Sequence, residues 1–182
     1  MVSADTISTA RRWSMLAIAL SSTMFANVFI NGTAFLIPTL HQGRGMDLAQ
    51  AGLFSAMPSI GMVFTLIAWG YAVDRLGERV VLALGSALTA AAAFAAAASE
   101  SLVLTGAFLL LGGMAAASSN SASGRLVVGW FTPERRGLAM GIRQTAQPLG
   151  IALGALAIPE LAERSPRGFD VAGSGVHGRG SG

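Results

Sequence analysis

Long apolar stretches separated by short polar islands dominate the chain, and they set the first expectation. A bilayer core of ~30 Å needs about 20 apolar residues in a helix rising ~1.5 Å per residue. Five stretches reach that length: residues 13–40, 48–69, 80–98, 102–131 and 138–158. None alternates apolar and polar residues with period two, so a membrane barrel is not expected, and helices are the form that satisfies every backbone group in lipid. The fold class expected is all-α, a polytopic membrane helix bundle. The domain plan is a short N-terminal segment (1–12), a five-helix transmembrane region (13–159) and a polar, Gly-rich tail (160–182) read as disordered.

Composition agrees with the pattern. Fifty-three per cent of residues are hydrophobic and 12% charged, with a mean hydropathy of +0.61. That is too little charge to clothe a soluble domain of this length. The run before the first span, Arg11-Arg12, could open a signal peptide, but the apolar stretch after it far exceeds the ~7–15 residues of a signal core. It reads as a retained helix. All twelve basic residues are arginines. They are scattered over separate loops, so no basic stripe for nucleic acid forms. There is no Cys, and the two histidines, His41 and His177, lie far apart. No metal site, no cofactor and no enzymatic activity are expected, because no in-membrane acid–base pair or activated nucleophile can be assembled. The spelling Gly173-Ser-Gly175-Val-His-Gly178 lacks the strand and helix of a dinucleotide site and is read as accidental.

Orientation follows from the arginines. An inside N-terminus puts Arg11, Arg12, Arg75, Arg79, Arg135 and Arg136 on the cytoplasmic side and leaves only Arg44 in the outer loops, with Glu100 in the second of them. The positive-inside rule selects this orientation in the cell (inner) membrane. Trp13, Trp69 and Trp130 are then expected at one and the same interface.

The segment Gly70-Tyr-Ala-Val-Asp74-Arg75-Leu-Gly77-Glu78-Arg79 reads physically as a tight charged reversal between spans two and three. Its G-x-x-x-D-R-x-G-x-R frame resembles the signature loop of the major facilitator superfamily of secondary transporters. Ala72 and Glu78 depart from the usual Leu and basic residue. The segment Trp130-Phe-Thr-Pro-Glu-Arg135-Arg136-Gly137-Leu-Ala-Met-Gly141 resembles the loop joining that family's fourth and fifth helices. The resemblance covers about residues 13 to 159. It implies transport of a small solute bound between two six-helix halves, with Gly70, Asp74, Arg75, Gly77 and Arg79 as a gating loop. It also implies an incomplete N-terminal half: about five of twelve helices, a truncated or frame-shifted chain or one piece of a split carrier, inactive alone. The missing C-terminal half, or another membrane chain, and the bilayer are the expected partners. In the family the loop Asp is thought to meet the dipole of a second-half helix, a partner Asp74 would lack here. Phe108 stands where many proton-coupled drug exporters of the family carry an Arg. The alternative is a non-transporting remnant or small accessory protein that packs against other helices.

Polar residues within the spans supply the candidate substrate contacts: Arg143, Gln144, Gln147, Asn27, Asn31 and Asn120. An ionisable group in lipid costs at least ~2.5–3.5 kcal/mol, so each needs a reason. Arg143 either snorkels to the near surface or faces a cavity and holds an anionic solute. Arg125 is expected to snorkel. Asn27 and Asn31 share one face of span one and serve as interhelical glue or as cavity lining. Asn120 sits in the polar run Ser118–Ser123. Gly150 and Gly154 form a small-xxx-small pair, and Pro58 and Pro148 suggest kinks. No Asp or Glu falls within a span, so this half offers no carboxylate relay.

Overall fold

The computed structural model describes residues 8–37, 47–99 and 101–164. The expectations placed on His41, Arg44, Glu100 and the Gly-rich tail from Ser165 onward lie outside the described residues. Among those described there is helix and no strand: α1 (Thr9–Gly32) with a 3-10 turn (Thr33–Leu36), α2 (Leu48–Leu76), α3 (Glu78–Ala98), α4 (Leu102–Trp130), α5 (Pro133–Gln144) and α6 (Ala146–Arg164). Four of these stretches are long and apolar enough to cross a membrane: Thr9–Phe35 and the whole of α2, α3 and α4. The stretch expected as one fifth span is instead two consecutive helices, interrupted at Thr145.

Local chemistry sets the ends. The Ser8 hydroxyl accepts from the Arg11 N–H, 3.4 Å. Asp47 and Gln50 form a capping box, with the Leu48 N–H on the Asp47 carboxylate at 2.7 Å. Pro133 opens α5, where its missing N–H is not needed. The Glu134 carboxyl is held below its ordinary range by its own backbone N–H and by the Thr132 hydroxyl. At its far end α6 runs past Pro159 to Arg164, beyond the helix end expected at Ile158. A proline removes one backbone bond without obliging the helix to stop.

The reversal between α2 and α3 is shorter than the sequence suggests. Asp74 and Arg75 belong to the last turn of α2, and Gly77 alone makes the corner, at φ +84°. Only glycine adopts that conformation without strain. Gly70, expected to permit close approach within the loop, lies inside α2 with open space around it.

Packing centres on α4, which touches α1, α2 and α3. Its middle is rich in small buried residues: Gly112, Gly113, Ala115, Ala116, Ala117, Ser118, Ser119, Ala122 and Ser123. Without a hydrophobic force between helices in lipid, such residues let backbones approach and gain dispersion contact. A Cβ at Gly113 would strike the backbone of Pro58 in α2. Pro58 facing Gly113 and Asp74 facing Arg125 show α2 running parallel to α4. Ser22 facing Ser119, and Phe29 facing Gly112, show α1 running antiparallel to it. Gly150 meets Met24 and Asn27, and Gly154 meets Gly32, so α6 lies parallel to α1. The alternation gathers Arg11, Arg79, Arg125 and Arg136 at one end of the bundle.

The exterior is apolar. Ile67 is 88% and Val103 81% exposed, which a water-facing surface would not tolerate in number but hydrocarbon accepts. At the arginine-rich end, the Trp13 ring meets Phe131 edge-on with centroids 5.3 Å apart. Trp69 departs from the interfacial expectation, because its indole N–H donates to the Met114 carbonyl in the middle of α4, 2.6 Å.

Substituting Gly113 by Leu should lower the melting temperature of the detergent-purified chain, since overpacking of this kind costs ~1–3 kcal/mol or more. Gly52→Ala, at a position with open space, should leave it unchanged or raise it slightly. Equal tolerance of both changes would contradict the α2–α4 contact.

Candidate functional site

The polar run of α4 is where side-chain chemistry converges. Helical spacing turns Ser119 and Ser123 toward one side and Asn120 toward another. On the α1 and α3 side, the Ser22 hydroxyl pairs with Ser86 at 2.6 Å and with Ser119 at 3.0 Å, joining three helices. On the α2 side, the Asn120 amide reaches the Met62 sulfur, 3.7 Å.

Arg143 enters this run from α5. Its Nε donates to the Ser123 hydroxyl at 2.9 Å and its Nη2 to the Asn120 carbonyl at 3.1 Å. Its Nη1 donates to the Gln144 Oε1 at 2.8 Å. Ser123 is buried, and the planar guanidinium reaches it, a backbone oxygen and a neighbouring amide together. The group is half-buried and braced against α4. Its Nη1 also reaches the Met140 sulfur, 3.8 Å, so four of its five N–H groups have partners and one Nη2 N–H is left for a further acceptor.

The helix break beside it has a local cause. Pro148 has no N–H for the Gln144 carbonyl, and its ring crowds that same oxygen. The chain answers by ending α5 at Gln144, and the Thr145 N–H and hydroxyl both turn back to the Ile142 carbonyl, at 3.1 and 2.7 Å. The interruption therefore falls about one turn before the proline, directly after Gln144. Thr145 itself keeps helical dihedrals, φ −68° and ψ −17°, so the break is a local loss of hydrogen bonding and not an unwound segment.

The other candidates are placed differently. The Asn27 amide donates to the Thr23 carbonyl at 2.8 Å and the Asn31 amide to the Asn27 carbonyl at 3.1 Å. Both serve α1 itself, and Asn27 also backs onto Gly150 of α6. Gln147 is exposed on α6. Of the six candidates, Arg143 and Gln144 touch by side chain and Asn120 joins them through its carbonyl. In the loop motif, Asp74 forms an ion pair with Arg125 of α4, so Arg125 has a partner that the sequence did not suggest. Arg75 lies over its own Tyr71 ring at 4.9 Å, and Arg79 over Trp130 at 4.8 Å. Phe108 lines an apolar recess of ≈ 680 Å³ with Trp69 and Leu88.

Sequence reasoning missed Ser123 and Arg125 as partners. Ser123 carried a faint signal, being one turn from Asn120 on the same helix. Arg125 carried none, because its contact depends on the register between α2 and α4.

The two charged contacts differ in weight. Asp74 and Arg125 are each about half exposed, so Asp74→Asn should cost under ~1 kcal/mol of stability. Arg143→Ala should cost ~1.5–3 kcal/mol, the range for hydrogen bonds to a charged group. Thermal unfolding in detergent checks the ranking, and a reversed order would contradict the brace.

The family model of the Major Facilitator Superfamily matches residues 15–168. Two uncharacterised MFS-type transporters, from two strains of Mycobacterium tuberculosis, are each 61% identical to this chain over 163 residues. Those alignments cover 90% of this chain and 37% of each relative. The chain thus spans 37% of the length of the curated relatives it matches.

Proposed function

The chain belongs to the major facilitator superfamily, and from that premise we propose that it serves membrane transport of a small solute as the N-terminal part of a secondary transporter. The observation that carries this reading to a site is Arg143, a guanidinium held in a polar seam by Ser123, Asn120 and Gln144. A charge kept there must be compensated, and an anionic solute accepting from its remaining Nη2 N–H would complete that compensation. Gln144, Gln147, Asn27, Asn31 and Asn120 are the further proposed contacts. Gly70, Asp74, Arg75, Gly77 and Arg79 form the proposed gating segment at the arginine-rich end.

Alternating access requires one half of such a carrier to rock against another around the bound solute. The proposal therefore includes inactivity of this chain alone, with further helices supplied by a C-terminal half or another membrane chain. It also includes an inner-membrane location with the N-terminus in the cytoplasm, supported by the arginine distribution.

Reconstituted alone in proteoliposomes, the chain should move none of a panel of labelled organic anions. Completed by a second half, it should transport at least one. There Arg143→Ala should reduce kcat/KM about tenfold or more, the equivalent of a lost charge-assisted hydrogen bond, while Arg143→Lys retains part of the rate. Transport of an anion undiminished by Arg143→Ala would overturn the role given to this residue. Transport by the lone chain would overturn its dependence on a second half. Absence of transport in every completed form would leave an accessory role, packing against other helices.

A further inference from the structure

The arginine-rich end of the bundle contains a cleft of ≈ 1340 Å³, lined in part by Gly70, Asp74, Gly77 and Arg79 of the proposed gating segment. Arg11 of α1, Arg79 of α3, Arg125 of α4 and Arg136 of α5 line it, against two carboxylates, Asp74 and Glu78. Asp74 is already paired with Arg125, which leaves three guanidinium groups facing the single carboxylate of Glu78. Two of the three are held in place. Arg79 lies over the Trp130 ring at 4.8 Å, and the Arg136 Nε donates to the Phe131 carbonyl at 3.3 Å. A guanidinium stacked by its face keeps its N–H edge available for oxygen ligands.

The walls are of another character. Leu76, Val80 and Val128 line the same cleft and expose roughly half of their surface, at 55%, 51% and 49%. Gly70 and Gly77, also in the lining, have nothing within reach of where a side chain would stand, so the cleft stays open beside them. A positive pocket with apolar walls, level with Trp130 where indole rings meet headgroups, matches one class of molecule. Its ligand carries a phosphate and, joined to it, hydrocarbon. Basic pockets between transmembrane helices bind anionic lipid headgroups for this reason.

We propose that this cleft binds one anionic phospholipid, its phosphate among Arg11, Arg79 and Arg136 and the start of its acyl chains along Leu76, Val80 and Val128. The cleft adjoins the Arg143 seam through Gly124, where an added Cβ would stand 3.9 Å from the Arg143 guanidinium, and lipid binding in it is read without any transport assay.

Native mass spectrometry of the detergent-solubilised chain, titrated with phosphatidylglycerol and with phosphatidylcholine, tests it. The unsubstituted chain should retain one phosphatidylglycerol in preference to phosphatidylcholine. Each arginine near a headgroup contributes about fivefold in affinity, so Arg79→Gln combined with Arg136→Gln should weaken phosphatidylglycerol by well over tenfold. Arg135→Gln removes the same charge from the same end, outside the cleft lining, and should leave binding unchanged. Equal retention of the two lipids by the unsubstituted chain would overturn the proposal, and that comparison needs no variant to fold. Undiminished binding in the double variant would overturn it, as would an equal loss in Arg135→Gln, the mark of diffuse surface attraction. Displacement of the lipid by inorganic phosphate would show a free-anion site instead, and would also overturn it.

Discussion

Close approach of backbones along α4 is the constraint on which the rest of the structure depends. In lipid, helices gain little from burying apolar surface against one another, so they associate where small residues let main chains touch and side-chain hydroxyls bridge. From Gly112 to Ser123, α4 offers such a surface on several sides at once. Pro58 of α2 lies against Gly113, Gly85 of α3 against Ser118, and Ser22 of α1 against Ser119. A bulky residue at one of these places would separate a helix from the hub.

The same run explains how a charged residue is accommodated. Arg143 approaches α4 where the side chains are short enough to leave the Asn120 carbonyl accessible and where Ser123 supplies a hydroxyl. Packing and polarity are thus two consequences of one choice of residues. Small residues admit the neighbouring backbones, and the hydroxylated ones among them satisfy what those neighbours bring. Pro148 interrupts the hydrogen-bond ladder at Thr145, close to Arg143.

Much of the architecture was legible in the sequence, because membrane helices announce themselves by length and hydropathy. Residues 48–69, 80–98 and 102–131 all fall within or beside the observed α2, α3 and α4. The motif frame Gly70–Arg79 and the loop around Pro133 pointed to the family before any coordinates. Contacts set by helix register were not legible. Arg125 looked like a snorkelling residue, and only the parallel alignment of α2 and α4 brings it to Asp74. Nor does the sequence show that Arg143 is held by Ser123, twenty residues earlier on another helix. The sequence of Gly70–Arg79 suggests a reversal longer than the corner that Gly77 makes alone. In fact Asp74 and Arg75 complete the last turn of α2.

The absence of cysteine from the chain makes one measurement of the α4-centred bundle unusually clean. Ser22→Cys paired with Ser86→Cys, and separately with Ser119→Cys, places two thiols where hydroxyls stand 2.6 and 3.0 Å apart. Hydroxyl oxygens at hydrogen-bonding distance bring their Cβ atoms to within about an ångström of the ~4.5 Å that a disulfide spans, so with a small shift mild oxidation in native membranes should close both bridges. The neighbouring pair Ser21→Cys with Ser86→Cys should close neither readily nor fully, since Ser21 turns to a different face of α1. Closure of both Ser22 pairs in preference to the Ser21 pair would establish the register of α1 and α3 on α4. Failure of the Ser22 pairs, or preferential closure from Ser21, would contradict the account.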